Sequence, residues 1–265
     1  MRWAGLLGAL LATACARERE EAPRSLDELA HAVYRTFEEP VSADDLAELD
    51  AWVQAEGDSE AAWDGLRLTN LLEIDIEGIE LPADTDLTLH VGMATSRISP
   101  FPALAHAELV VEPDQRWTDP KTFDRYDREI IEGDGERFVT GSGLIRTLNI
   151  IEKSGSFGVL IPYELRKDYR WQELEDGRRV LLSRNWVTEP GCSGNGKNCV
   201  LQAFGLDSFW ELDDDTSVRL FTNWLLVTTE VDSLISEEAR IGLMAKGNQD
   251  IFEATDAELA RRSEQ

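Results

Sequence analysis

The sequence predicts an α+β fold in which a series of antiparallel strands precedes, and packs against, one long C-terminal helix. Three observations carry that expectation. Apolar residues between 25 and 70 recur at the helical period, from about Leu71 the period drops to two, and a final stretch opened by Ser236-Glu237-Glu238 returns to helical spacing. A sheet followed by a single helix must bury an apolar face against it.

The elements follow in order. Ser25-Leu26-Asp27-Glu28 has the form of a capping box, with Leu26, Leu29, Ala30, Val33 and Phe37 at helical spacing and Pro40 as the stop. Ser42-Ala43-Asp44-Asp45 opens a second helix with Leu46, Leu49, Trp52 and Val53 as its stripe, ended by Gly57. A third short helix is expected around Glu60–Asn70. Leu72, Ile74, Ile76 and Ile79 alternate with acids, and Leu87–Val91 alternates with polar partners, so both are expected as half-buried strands. Prolines 100, 102, 113 and 120 mark a loop-rich middle, with short helices expected within Pro120–Ile131.

Five β-rich segments come next: Phe138–Lys153, Phe157–Leu174, Arg179–Thr188, Val200–Leu212 and Val218–Glu230. Their separators are turn-like, namely Ser154-Gly155-Ser156, Glu175-Asp176-Gly177, a cysteine-bounded loop and Asp213-Asp214-Asp215-Thr216. The last helix carries Ile241, Leu243, Met244, Ile251, Phe252 and Leu259. Within it Gly242 and Gly247 each cost about 1 kcal/mol relative to alanine, unless they permit close approach to the sheet.

The 265 residues are 42% hydrophobic and carry a net charge of −26. That is ample material for a folded core. The acidity excludes nucleic acid as a partner, because binding there is driven by cationic neutralisation of phosphate. Met1–Cys15 has a positive Arg2, a short apolar run through Leu6, Leu7, Leu10 and Leu11, and small residues before the cysteine. The run is too short to span a bilayer and reads as an export signal. Its ending, Leu11-Ala12-Thr13-Ala14-Cys15, resembles the lipobox of bacterial lipoproteins, with Ala12 where that family commonly has a larger aliphatic residue. The resemblance implies lipidation of Cys15, a membrane tether over 16–24, and a domain in the periplasm or at the cell surface. Behind the tether, 25–70 forms the helical region and 71–265 the α+β domain.

Cys192 and Cys199 bound a Gly/Asn/Ser loop, which in an exported protein reads as a disulfide. A zinc site is disfavoured there, because no second cysteine pair or histidine completes it.

The order of elements over Leu104–Arg262, with Trp117–Ile131 leading into the strand series and the final helix, is similar to the helix-grip fold of the START and polyketide-cyclase-like superfamily. That resemblance implies a curved sheet wrapped around the C-terminal helix, with an elongated cavity for hydrophobic molecules. Fold alone does not give function.

No motif identifies a reaction. His31, His90 and His106 lack metal-ligand spacing. Gly57-Asp58-Ser59 resembles the start of a GDS-type esterase block, but it lies between predicted helices with no Asp-x-x-His to serve it. Asp213–Asp215 and the Asp75/Glu77/Glu80 group read as solvated acids rather than calcium loops. Arg166, Lys167, Arg170, Arg178, Arg179 and Arg184 read as a hairpin face balanced by nearby acids.

One phase of the strand pattern puts Leu144, Arg146, Leu148 and Ile150 on a face shared with Val180, Leu182, Arg184 and Trp186, and with Val218, Leu220, Thr222, Trp224 and Leu226. If that face is inward, Arg146 and Arg184 are candidate anchors for an anionic headgroup, and Tyr163, Trp171, Trp186 and Trp224 line the same volume. The expected role is non-catalytic binding of a hydrophobic or amphiphilic ligand, with no cofactor or metal. The alternatives are an envelope protein-interaction scaffold with a solid core, or a helix-grip enzyme.

Overall fold

The computed structural model describes residues 24–82, 85–155, 159–229 and 235–264. Cys15, the signal segment and nearly all of the tether lie outside them. Three helices come first: α1 (Leu26–Arg35), α2 (Ala43–Glu56) and α3 (Glu60–Asp64). Ser25 caps α1 reciprocally, its hydroxyl accepting from Glu28 N at 3.3 Å while the Glu28 carboxylate accepts from Ser25 N at 2.8 Å. Gly65, at φ 106°, ends α3 early. The chain then enters strand β1 (Leu66–Leu68), where the sequence pattern suggested continued helix.

The remaining elements are β2 (Val91–Ser99), α4 (Ala103–Val110), β3 (Phe123–Gly133), α5 (Gly135–Phe138), β4 (Leu144–Gly155), β5 (Val159–Glu173), β6 (Arg179–Glu189), β7 (Gly191–Cys192), β8 (Cys199–Glu211), β9 (Ser217–Thr228) and α6 (Glu237–Ser263). All strand pairs are antiparallel, in the order β1-β2-β9-β8-β6-β5-β4-β3 with β7 on β8. Successive strands of the series are therefore neighbours, and β2 closes the far side by pairing with β9 along its whole length.

Three local expectations are corrected. The Leu72–Ile79 stretch forms a 3₁₀ turn at Glu73–Ile76 instead of a strand. Its cause is Asp75, which turns inward to accept from Leu72 N at 2.8 Å, meets His31 Nδ1 at 2.7 Å and pairs with Arg35 at 2.7 Å. A side chain that bonds its own backbone competes with the ladder. Leu87–Leu89 is likewise a 3₁₀ turn, closed by the Asp86 carboxylate on Thr88 N at 2.9 Å. The Pro120–Ile131 region holds strand β3, preceded by a 3₁₀ turn at Arg116–Thr118, because Tyr126, Arg128 and Ile130 find partners across β4.

The sheet is covered on both sides. Even-numbered residues of β6, β8 and β9, including Val180, Leu182, Phe204, Leu206, Val218, Leu220 and Trp224, pack against Leu29, Val33, Tyr34 and Phe37 of the N-terminal helical layer and against Leu46, Leu49 and Val53 of α2. Arg184, 2% exposed, belongs to this face; it pairs with Glu38 and lies 5.1 Å from the Phe37 ring and 5.2 Å from Trp186. Arg146 meets the other Glu38 oxygen at 2.8 Å, and Arg170 donates to the Glu38 carbonyl at 2.7 Å. Arg178 fixes α2 through Asp50 at 2.6 Å. Arg170, Arg178 and Arg184 of the basic cluster thus clamp the helical layer onto the sheet, while Arg166 pairs with Asp168, Lys167 with Asp207 and Arg179 with Glu211.

Two predictions follow from this packing. Glu38→Ala leaves the Arg184 guanidinium buried without its acid and should lower unfolding free energy by about 2–3 kcal/mol in urea titrations, more than Arg184→Met, which removes the charge with its partner's need for it. Cys192 and Cys199 form a disulfide across a seven-residue separation. Replacing both by serine should lower stability by about 2–3 kcal/mol, measured under oxidising conditions.

Candidate functional site

Odd-numbered residues occupy the other face, and here the sheet and α6 do not close on each other. A cavity of about 440 Å³ lies between them, with α4 and the Arg116–Thr118 turn completing its wall. Ser236 caps α6, accepting from Ala239 N at 3.3 Å. The helix is fastened to the sheet by Arg219, whose guanidinium donates to Phe252 O at 3.0 Å and to Asp256 Oδ2 at 2.9 Å. Burial pulls that guanidinium down to about 10, with Asp256 opposing, so it stays charged at neutral pH. Neither Gly242 nor Gly247 makes a close approach, since a Cβ on either would meet nothing within 4 Å. Gly247 lies on the cavity-lining stripe of α6, so its missing side chain enlarges the cavity.

The cavity wall is mainly apolar. Leu165, Ala203, Leu225 and Val227 line one part, and Leu109, Val110, Phe209, Phe221 and Ile251 another. Between them runs a polar belt, set by strand register: Lys167 stands opposite Asn185, Asn185 opposite Gly205, and Gly205 opposite Asn223. Asn223 donates to Asn248 Oδ1 at 3.2 Å, which carries the belt onto α6. Gly205 is glycine because a Cβ there would stand 2.4 Å from the Asn185 amide nitrogen.

Lys167 Nζ lies 3.4 Å from Asp207 Oδ2. Burial pushes the Asp207 carboxyl up from its usual range, with the Lys167 and Arg128 charges pulling against it. Burial also works against the Lys167 ammonium, but Tyr126, Tyr169 and Asp207 outweigh it and its affinity for the proton rises. Arg128 is held by Asn149 Oδ1 at 2.8 Å and Val110 O at 2.7 Å, with its guanidinium 5.4 Å from the Tyr169 ring centre. Lys153 lies 5.6 Å from the Phe123 ring centre, its ammonium pulled down by burial with Asp119 opposing. In a chain of net charge −26, the cavity wall therefore carries Arg128, Lys153 and Lys167 against the single carboxylate of Asp207.

His106 also lines the cavity, stacked on Phe209 at 4.8 Å. The Ser99 hydroxyl donates to Asp256 Oδ1 at 2.9 Å, so the His106 Nε2 proton, 3.0 Å away, is directed at Ser99 Oγ. Serine, not histidine, sits in the middle of this relay, the reverse of a nucleophile–base–acid arrangement. Burial, and then the Arg219 charge, hold the His106 imidazole well below its ordinary value.

The sequence-predicted candidates divide by face. Tyr163 lines the cavity. Trp171 shares its face but packs beyond the cavity, donating from Nε1 to Phe138 O at 2.9 Å. Arg146, Arg184, Trp186 and Trp224 point the other way; Arg184 and Arg146 hold Glu38, and Trp224 Nε1 donates to Thr69 O at 2.7 Å. Those four therefore lie on the face covered by the helical layer, away from the cavity. The residues that sequence reasoning missed are Arg128, Lys153, Lys167, Asn185, Asp207, Asn223 and Asn248. Their signal was a charge or amide within the odd phase of an otherwise apolar strand, as in Tyr163-x-Leu165-x-Lys167-x-Tyr169.

The remaining candidates are local. Asp213 closes its own turn, accepting from Asp215 N at 2.9 Å and Thr216 N at 2.7 Å. No group of three or more potential metal ligands occurs among the described residues. Nor is any helix among them long and apolar enough to cross a membrane.

No family model and no curated protein matches the chain. Among solved structures it is similar to the Zhui aromatase/cyclase from Streptomyces sp. R1128, at 17% identity and a TM-score of 0.41, covering 65% of this chain and 94% of that one. It is also similar to a fragment of a STAR-related lipid transfer protein from Xanthomonas axonopodis, at 9% identity and a TM-score of 0.43, covering 68% and 98%. A START superfamily protein from Mycobacterium smegmatis is similar at 8% identity and a TM-score of 0.40, covering 65% and 98%. The fold assignment itself rests on strand order, register and the placement of α6.

The buried, neutral His106 makes stability depend on pH. Its folded-state value is depressed, so the unfolded chain takes up the proton first; the stability it contributes is present above about pH 6.5 and is lost as pH falls. Between about pH 6.5 and 5, wild-type unfolding free energy should fall more steeply than that of His106→Gln, by up to about 1.4 kcal/mol per pH unit.

Proposed function

We propose that this protein binds a hydrophobic or amphiphilic small molecule, without catalysis, in the cavity between the odd face of the sheet and α6. The observation that carries the reading is the cavity itself, about 440 Å³ and lined mainly by apolar side chains around a few polar groups. That size and composition suit a small-molecule site. The excess of cations on its wall favours a ligand with an anionic or electron-rich group. A scaffold built on a solid core would instead close the sheet onto its helix at ordinary packing density.

The resemblance of Met1–Cys15 to a lipobox supports a setting for this binding. In the proposed setting the mature chain is anchored through lipidated Cys15 in a bacterial cell envelope, where the binding domain serves as a carrier or sensor for a molecule sparingly soluble in water.

Gentle native purification followed by solvent extraction and mass spectrometry tests the reading. A discrete apolar compound at near-stoichiometric amount is expected, or uptake of one from a lipid panel by the empty protein. Gly247→Trp, which projects an indole into the cavity from a position where a Cβ meets nothing within 4 Å, should weaken uptake roughly tenfold or more, with thermal denaturation checking that the fold is kept. A wild-type protein that is empty and takes up no member of the panel would overturn the proposal.

A further inference from the structure

The polar belt sits part-way along the cavity rather than at its end. Lys167, Asn185 and Asn223 share one cross-strand row. One row away are Leu165, Ala203 and Leu225, and on the opposite side Tyr169, Asp207 and Phe221, followed by Phe209. A row is two residues of strand, so the cavity wall extends at least about 7 Å from the belt on each side, one arm apolar through Leu165, Ala203 and Leu225 and the other through Phe221 and Phe209, beside Asp207.

The belt is also incompletely satisfied from within the protein. Asn185, only 5% exposed, lines the cavity, and its side-chain amide has no hydrogen-bond partner among the described residues. Its backbone carbonyl is occupied by the Tyr34 hydroxyl at 3.1 Å, and Gly205 leaves the space into which the amide extends. Lys167 offers three N–H donors and makes a single 3.4 Å contact with Asp207. A hydrogen bond from this amide to a ligand is worth about 1 kcal/mol.

We infer that the occupant is an elongated apolar molecule bearing an electron-rich oxygen part-way along its length, a carbonyl for instance, which accepts hydrogen bonds from Lys167 Nζ and the Asn185 amide mid-cavity. This inference rests on the binding role proposed above. A molecule whose one polar group lies at its end meets the belt only by leaving one apolar arm unfilled. A pure hydrocarbon fills both arms and leaves the amide and ammonium unpaired.

The test is competition of 7-tridecanone, 2-tridecanone and n-tridecane against 1-aminoanthracene fluorescence on the purified protein. Wild type should bind 7-tridecanone about fivefold more tightly than either of the others, the effect of a buried hydrogen bond. Asn185→Ala and Lys167→Met should each lose that preference, the three probes then binding within about twofold of one another. Asn185→Ala removes a side chain with no partner in the protein, so its fold is expected to be intact, checked by thermal denaturation. Equal affinity for the three probes, or preference for 2-tridecanone, overturns the mid-cavity oxygen and leaves the binding role standing. Failure of all three to displace a bound reporter overturns the elongated occupant, and failure of the reporter and all three probes to bind overturns both.

Discussion

The central constraint is that the sheet is buried on both faces, and that the face toward the N-terminal helices is locked by a charge. Arg184 sits within the apolar layer with 2% of its surface exposed, and Glu38 descends from the end of α1 to meet it. A guanidinium in such a place is tolerable only with an acid and aromatic rings around it. Tyr34, Phe37 and Trp186 supply the rings, and Arg146 shares the same acid. With α1 and α2 held there, the even face is solid. Only the odd face is left to form a cavity with α6.

The two sides are built by opposite rules. On the even face large side chains interlock, and the arginines have partners on the protein. On the odd face α6 is fastened where Arg219 reaches Phe252 and Asp256, and where Ala245 passes over Gly65. Along the cavity stripe between and around those points, Gly247 stands where a larger side chain would fill the space. Polar groups are left short of partners at the belt, a local cost that the well-packed opposite face offsets. Local conflicts of this kind concentrate where a protein binds something.

Much of this was legible in the sequence, and the part that was not has a single physical origin. The strands from Leu144 to Thr228 follow from alternation and turn residues, and the ends of α1, α2 and α6 follow from Ser25, Ser42 and Ser236. The inward face does not follow. In a sheet covered on both sides each phase reads as apolar, so alternation defines two faces without ranking them. Val180, Leu182, Arg184 and Trp186 form a coherent set, and so do Leu181, Ser183, Asn185 and Val187. The first set gathers Arg146, Arg184, Trp186 and Trp224 on the face where Glu38 and the helical layer pack, and the second faces the cavity. The strands expected at Leu72–Ile79 and Leu87–Val91 gave way to turns for a second reason. Asp75 and Asp86 bond nearby backbone amides, and a hydrophobic count does not register that competition.

Photolabelling with an alkyl diazirine, read by peptide mass spectrometry, tests the division of the sheet most directly. The account predicts label on cavity-facing positions such as Tyr163, Phe209, Leu225 and Met244, and its loss in competition with a bound apolar compound. Competable label centred instead on Trp186, Trp224 and the Phe37 side of the sheet would contradict it.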